Sequence, residues 1–505
     1  MKESILKFIV SFVIGITTKS ITIFQISVFT ITMYYLMLSL FGFYKKDDRE
    51  VDNCKLQKKF ALLVAAHNEE MVVGKIVDSL KELDYPKELY DIFVIADNCT
   101  DETADIARRH GGNVYERKVP DKRGKGYALE WMFDIIFRMD TQYDAIAIFD
   151  ADNLVSKNFL KEMNYKLLKG YKVVQGYIDS KNPDDSWITQ SYSISFWATN
   201  RLFQLGRENL GLSSQIGGTG FCLDTEILKK LGWGSTCLTE DLEFTCKLVL
   251  NGHKVGWAHN AVVYDEKPLT LKQSWNQRKR WMQGFADVSS RFFLKLMKKA
   301  IKERNFVALD CALYTMQPYL TLFIGVSAVL TLLQNNSTGL GIPTMNQLIS
   351  NPNVWIIFSI CQFLFTPLVM VLESKLSKKM FAAFTLYSLN IVVFLQVFAF
   401  LRDKYPKVLS AYHLSAITMD KNMNASVTPT FEYTIFATIA YIAIFIIIIG
   451  MIDRKRSLKI FVWYLLYGIY TLTWIPITIQ GIMDKNNKEW SHTKHVRQIS
   501  IQEVE

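Results

Sequence analysis

Apolar and polar positions follow two different rhythms along this chain. Toward both ends the apolar runs are nearly unbroken. Residues 21–43 carry no charge between Lys19 and Lys45, and comparable runs occupy 306–333, 354–372, 380–401, 433–452 and 460–483. Each is close to the ~20 apolar residues a helix needs to cross a bilayer. A further apolar stretch, 5–16, is too short to span alone and reads as an interfacial helix. Between 58 and 281 the rhythm changes to strand-length apolar runs separated by helically spaced ones.

Within that middle region the elements follow one another in a regular order. Residues 60–66 (FALLVAA) predict a buried strand ending in His67-Asn68-Glu69-Glu70, and 72–83 carry apolar residues at helical spacing. A second strand, 90–96, ends at Asp97, and a helix over 103–110 is closed by Gly111-Gly112, which suits a C-cap. The basic loop Lys122–Gly126 precedes a helix over 127–138, and the apolar run 146–149 exits into Asp150-Ala151-Asp152. Strand, helix, strand, helix predicts an α/β domain with a parallel sheet and right-handed crossovers. Beyond it come a strand at 173–176, a helix at 190–209, and residues 217–222, too glycine-rich for a regular element. Thr239 is placed to cap a helix running to residue 250, and 285–302 reads as an amphipathic helix lying on a membrane surface.

Charge and cysteine usage narrow the setting. The net charge of +10 is concentrated in Lys/Arg clusters beside the apolar runs, such as Lys45-Lys46, Arg278–Arg280 and Lys298-Lys299. Such clusters favour the cytoplasmic side of a membrane, and a soluble basic domain with interleaved aromatics, as nucleic-acid binding requires, is missing. No small-residue cleavage site follows the first run, so it reads as a retained anchor. The seven cysteines form no C-x-x-C pair, which fits a reduced compartment better than a disulfide framework.

The candidate chemistry lies at the strand exits. In an open α/β sheet ligands bind beyond the carboxyl ends of the strands, so His67–Glu69, Asp97 and Asp150–Asp152 converge along one edge. Two aspartates one residue apart can hold a hard divalent cation against a diphosphate, and Lys125 can reach a phosphate oxygen. Each signal has a plainer explanation: solvated acids at a loop, a solvated turn, glycines in a simple turn, or acids that merely start a helix at Thr239-Glu240-Asp241.

Taken in order, His67-Asn68-Glu69, Asp97, Asp150-Ala151-Asp152, Thr239-Glu240-Asp241 and Gln277-x-x-Arg280-Trp281 form a D, D-x-D, T-E-D, Q-x-x-R-W series. This series resembles the membrane-integrated processive family 2 glycosyltransferases: cellulose, hyaluronan and chitin synthases and their bacterial relatives. The resemblance implies a GT-A-type (Rossmann-like) cytoplasmic domain over 58–284, inserted between an N-terminal membrane segment (1–46) and an interface helix (285–302). It implies channel-forming helices over 303–485 and a tail over 486–505. Ala66, His67, Asn68, Glu69 and Asp97 would hold the uridine of a UDP-sugar; Lys125, Asp150, Gln277 and Arg280 would complete the donor site. Asp150 and Asp152 would carry Mg²⁺ or Mn²⁺. Asp241, with Glu240 and Thr239, would form the catalytic group, and Asp241 would act as base. Trp281 with Gly218, Thr219, Gly220, Phe221 and Cys222 would face the acceptor.

The implied product is a β-linked polysaccharide made at the cell membrane, from glucose or N-acetylglucosamine, and passed across the bilayer. Tyr314, Tyr319, Trp355, Trp463, Tyr464 and Trp474 would stack on the growing glycan chain, unless they form an interfacial aromatic belt. Transfer of one sugar to a lipid or short glycan is the alternative. One conflict stands out: five crossings after Trp281 would place the basic tail on the side opposite the transferase domain. The tail segment Trp490–His495 is expected to fold back toward the nucleotide.

Overall fold

The computed structural model describes residues 2–45, 50–234, 237–336, 365–378, 380–382, 415–419, 425–429, 443–444, 446–447, 451, 456–487 and 495–504. It divides into two units, Met1–Leu340 with Tyr470–Glu505, and Gly341–Ile469. In the second, the described strands β9 (Ser415–Met419) and β10 (Ala425–Pro429) pair antiparallel. The expected runs at 354–372, 380–401 and 433–452, and Trp355 with them, fall largely outside the described residues.

The first unit is built on eight strands: β1 (Phe60–Ala66), β2 (Tyr90–Asp97), β3 (Asn113–Arg117), β4 (Ala145–Asp150), β5 (Leu154–Val155), β6 (Val173–Ser180), β7 (Phe221–Asp224) and β8 (Val255–Asp265). They form one sheet in the order β3-β2-β1-β4-β7-β6-β8-β5. The half from β3 to β4 is parallel, as the alternation predicts. The other half departs from it: β7 runs antiparallel to both β4 and β6, and β5 antiparallel to β8. Phe221 and Cys222 therefore belong to a central strand, where Phe221 is 1% exposed and Cys222 is fully buried. The glycines that precede them concealed that short strand.

Helices cover both faces. On one face α2 (Val73–Lys81) and α5 (Phe159–Leu168) bury Ile76, Leu80, Phe159 and Met163 against β1 and β4; α3 (Thr103–Arg109) lies beside α2. On the other, α4 (Lys125–Ile136), α8 (Thr225–Leu231) and α9 (Glu240–Leu250) contribute Leu129, Met132, Leu228, Phe244 and Leu248. Helix α6 (Trp187–Ala198) continues through a π-helical stretch, Thr199–Leu205, into α7 (Gly206–Asn209). The single helix expected over 190–209 is thus present but bulged. π-bulges recur at functional sites, and Asn200 and Gln204 of this one line the cavity described below.

Helix α1 (Lys2–Leu40) is continuous, so the stretch 5–16 is not a separate element. Its end is gripped by the α/β domain: Arg201 Nε donates to the Gly42 carbonyl at 2.7 Å, and Asn209 Nδ2 donates to the Phe41 and Tyr44 carbonyls at 2.8 Å. Helix α10 (Leu271–Lys302) is one 32-residue helix, so Gln277, Arg280 and Trp281 share a rigid rod with the amphipathic stretch. That stretch lies differently from expectation. Phe292 and Leu296 pack against Leu242 and Val249 of α9 and Ala308 and Ala312 of α11 (Phe306–Thr315), each burial contributing roughly 1.5–3 kcal/mol. The apolar residues left exposed are Leu294 and Ile301.

Among the described residues two helical segments are long and apolar enough to cross a membrane, Lys19–Phe43 and Phe461–Met483. A third would be α11 with α12 (Gln317–Asn336), which meet at a bend of 69°. The C-terminal span comprises α13 (Arg456–Leu472) and α14 (Trp474–Met483). Residues 495–504 lie against α2, where Ile501 is 2% exposed and Gln502 donates to Glu82 at the end of that helix. The described part of the tail therefore packs on the α/β domain; the number of crossings that separates them in sequence falls largely on residues outside the described ones.

Candidate active site

Strands β1, β2 and β4 end level with one another, since Ala66 pairs with Ala96 and Ala65 with Asp150. Asn68 and Asn98 turn the chain there with φ of 55° and 51°, a left-handed region that asparagine tolerates better than most residues. Asn68 is spent on the loop, accepting from the Thr100 amide at 2.8 Å, while Ala66, His67 and Glu69 line the cavity. Asp97 lies on the cavity wall and its carboxylate is already engaged: Arg117 Nη1 lies 2.5 Å from Oδ1 and Asn98 Nδ2 at 2.9 Å. His67 Nδ1 meets the Asp97 carbonyl at 2.6 Å.

At the end of β4 the two acids have different surroundings. Asp150 receives the Lys125 ammonium at 2.5 Å, and that ammonium also donates to the Gly218 carbonyl at 2.6 Å. Thr219, 3% exposed, accepts from the Asp150 amide at 3.0 Å and bonds Asn153. Asp152 accepts from the Glu266 amide at 2.9 Å, and His495 Nε2 stands 3.8 Å away. Burial raises the Asp150 carboxyl above its ordinary range, with Lys125 opposing and Asp152 adding. Burial pushes Asp152 the same way, but His495 and Lys181 outweigh it and hold the group below that range. Two carboxylates of which one is 41% open to the cavity suit a hard cation that takes its remaining ligands from a diphosphate. Among the described residues no third His, Cys, Asp or Glu joins them as a ready-made cage.

The T-E-D segment opens α9. Thr239 occupies the N-cap position, yet its hydroxyl makes no capping bond. Its place is fixed from α10 instead, because a Cβ on Gly284 would fall 2.4 Å from the Thr239 side chain. Only glycine lets the two elements close to this distance. Gly218, at φ 86°, sets the opposite wall, where an added Cβ would stand 3.4 Å from Asp241 Oδ2. Burial raises Asp241 to about 6 against the Leu242 amide, which donates to Oδ1 at 2.8 Å. Burial and the neighbouring Asp241 raise Glu240 to about 7. A helix N-terminus ordinarily favours the ionised carboxylate, so at this site desolvation wins.

From α10, Gln277 accepts from the Tyr192 hydroxyl at 2.8 Å, and the Trp281 ring meets Tyr192 at 6.0 Å and Phe196 at 6.3 Å. Gln277, Phe196 and Trp281 border one cavity of about 890 Å³. It runs from His67, Asp97 and Asp150 past Asp241, Arg280 and Trp281 to Thr32 and Tyr35 of α1 and Leu320 and Ile324 of α12. Gly217, Gly218 and Thr219 line it, whereas Gly220, Phe221 and Cys222 lie behind that wall in the sheet. Tyr314 and Trp474 also border the cavity.

Several polar residues here escape sequence reasoning. Asp265 and Glu266 sit at the end of β8, whose run of apolar positions from Val255 to Val263 is the signal that would have located them. Burial raises Asp265 to about 6, with Lys267 opposing and both Asp152 and Asp150 adding. Glu266 accepts from the amides of Val496 and Arg497, both at 3.0 Å, and pairs with Lys181 at 3.1 Å. His495 Nδ1 lies 2.9 Å from Glu69. Burial works against its charge, yet Asp152 and Glu69 carry it up to about 9. Residues 495–497 thus reach Glu69 and Glu266 beside the strand exits; of the expected segment Trp490–His495, residues 490–494 lie outside the described residues.

Comparison with known proteins agrees with this geometry. Residues 57–284 match the model of the family described as glycosyltransferase like family 2. A probable glycosyltransferase of Bacillus subtilis, YdaM, is 29% identical over 301 residues, covering 55% of this chain and 70% of its own length. The beta-monoglucosyldiacylglycerol synthase of Synechocystis is 31% identical over 230 residues, 44% of this chain; the chain spans about half (47%) of that relative's length. The poly-beta-1,6-N-acetyl-D-glucosamine synthase of Staphylococcus aureus is 24% identical over 278 residues, 53% of this chain and 64% of its own length.

Proposed function

We propose that the protein, whose residues 57–284 match the model described as glycosyltransferase like family 2 and fold as a GT-A-type α/β domain, is an inverting, UDP-sugar-dependent transferase. It lengthens a β-linked polysaccharide, and its membrane helices pass the product across the bilayer, with the catalytic domain on the cytoplasmic side. One observation carries this reading: a single cavity joins the D-x-D end of β4, Asp241 and Trp281 to the apolar helices α1 and α12.

In this reading the uracil end of the donor lies between His67, Glu69 and Asp97, with the diphosphate beside Asp150. Mg²⁺ or Mn²⁺ held by Asp150 and Asp152 supplies charge neutralisation to the departing diphosphate. Lys125, displaced from Asp150, and Arg280 add fixed positive charge on the same side. The acceptor sugar rests on the Trp281 face, and Asp241 removes the proton from its attacking hydroxyl. The new bond from that oxygen to the anomeric carbon forms as the bond to phosphate breaks, so UDP leaves and an α-linked donor gives a β-linkage. Asp241 at about 6 is ionised at neutral pH, as a base must be. Glu240 at about 7 shares the local burden of negative charge.

A second reading is favoured by one feature, the apolar far end of the cavity at Tyr35, Leu320 and Ile324. There an acceptor carried on a lipid would receive a single sugar, in keeping with the relative named beta-monoglucosyldiacylglycerol synthase. UDP release from a panel of UDP-sugars, followed by size and linkage analysis of the product, tests both. A ladder of β-linked sugars supports polymerisation, one sugar on a lipid supports the second reading, and no UDP release rejects the transferase reading itself.

A further inference from the structure

Helix α14 is fastened along α10. Trp275 Nε1 donates to Gln480 Oε1 at 2.8 Å, Gln283 Nε2 donates to the Asp484 carbonyl at 3.1 Å, and Lys279 pairs with the Asp484 carboxylate. In this seam sits Arg278, fully buried. Its Nε lies 3.4 Å from the Ser274 carbonyl, while Nη1 and Nη2 have no hydrogen-bond partner among the described residues. Aromatic faces surround it instead. The guanidinium carbon is 4.2 Å from the Tyr470 ring centre, 5.0 Å from that of Trp474 and 5.9 Å from that of Tyr192.

A buried guanidinium without a carboxylate is a poor device for stability, since an apolar side chain of similar length fills the space without the desolvation cost. What a planar cation does provide is orientation, because it stacks on rings in a fixed plane. The rings it holds are placed to use that. Tyr192 donates its hydroxyl to Gln277 and meets the Trp281 ring, and Trp474 lines the cavity. Arg278 itself does not line the cavity, so whatever it does for the reaction it does through these neighbours.

We propose that Arg278 is a positioning residue: its aromatic cage sets the Trp281 platform through Tyr192, and so decides whether the activated sugar passes to the acceptor or to water. This rests on the transferase reading above. The cage also joins the acceptor platform to α14, the helix that leads toward the tail at the donor site, so the two halves of the cleft are held in one frame.

The test uses the full-length protein in lipid nanodiscs, comparing wild type with Arg278→Lys, which keeps the charge and loses the planar face. Nucleotide affinity, sugar incorporated into product and sugar released by hydrolysis are measured side by side. The expected result is unchanged UDP affinity, transfer reduced by about a hundredfold, as a shift of ~1 Å in a reacting group produces, and a larger hydrolysed share of the UDP-sugar consumed. Tyr470→Leu, which removes the nearest ring at a residue that does not itself line the cavity, is expected to shift the partition the same way and serves if Arg278→Lys does not fold. A wild-type ratio of transfer to hydrolysis in a folded variant overturns the proposal alone. A wild-type protein that consumes no UDP-sugar overturns the transferase reading and this proposal with it.

Discussion

The Lys125 ammonium lies 2.5 Å from the Asp150 carboxylate, where a divalent cation and a diphosphate would otherwise compete for the same charges. The lysine therefore has two opposed effects. Under the proposed function it would compete with the cation for Asp150 in the resting protein and support the leaving diphosphate during transfer. Lys125→Ala is expected to bind Mn²⁺ more tightly, read by the paramagnetic resonance of free Mn²⁺. Its kcat should nevertheless fall by about 10²–10³, the usual effect of losing one preorganised charge at a reacting centre. Weaker Mn²⁺ binding in this variant would contradict the competition.

Asp241 gives the pH dependence. Burial raises its pKa from the ordinary aspartate range to about 6, so the carboxylate proposed as the base is ionised above that pH and takes up its proton as pH falls through it. The acid limb of kcat/KM is expected near 6 and is expected to vanish, with the activity, in Asp241→Asn. The linkage has the opposite sign for stability. The folded protein binds this proton more tightly than the unfolded chain, so the carboxylate costs stability as pH rises from about 4 toward 6 and above. Asp241→Asn removes that cost and is expected to raise the Tm at pH 8; a lower Tm would contradict the burial argument.

Gly218 tests the wall facing that carboxylate. Its φ of 86° makes any L side chain strained by about 1–2 kcal/mol, and the added Cβ would stand 3.4 Å from Asp241 Oδ2. Gly218→Ala is expected to lower Tm modestly and kcat disproportionately. Equal losses in folded protein and activity would mean that the glycine serves the turn alone.

How much of this was legible in the chain depends on what a residue contacts. Strands β1, β2 and β4 announce themselves because both their faces are covered by helices, leaving continuous apolar runs that exit into acids. Residues β7 and its glycines hide because Gly217 to Gly220 break the run before the four-residue strand Phe221–Asp224. Asp150, Asp241 and Trp281 carry a spacing that can be read in one dimension. Lys181, Glu266 and His495 do not, for their meaning lies in contacts between residues 85 (Lys181 and Glu266) and 426 (Glu69 and His495) positions apart along the chain. The amphipathic face at 285–302 was visible, but periodicity cannot tell a face that meets lipid from one that meets α9 and α11.

Arg207 and Asp310 form a buried ion pair with side chains 2% and 0% exposed, and the Tyr34 hydroxyl of α1 donates to the same carboxylate at 2.8 Å. Arg207 Nε lies 2.7 Å from Asp310 Oδ2, and the guanidinium also borders the cavity. Breaking such a pair from one side costs about 3–5 kcal/mol, because the remaining charge stays buried. Asp310→Ala is expected to lower the Tm in detergent sharply, and Arg207→Met with Asp310→Leu in the same chain to recover much of the loss. A mild effect of the single change would show that water reaches the pair.

The most direct measurement of the central claim follows product size during turnover. Purified full-length protein in nanodiscs, given Mn²⁺ and the UDP-sugar that it consumes, is predicted to release UDP in step with growth of a β-linked chain many sugars long, while Asp241→Asn does neither. UDP release accompanied only by acceptors carrying a single added sugar would contradict polymerisation, and equal UDP release by Asp241→Asn would contradict the assignment of the base.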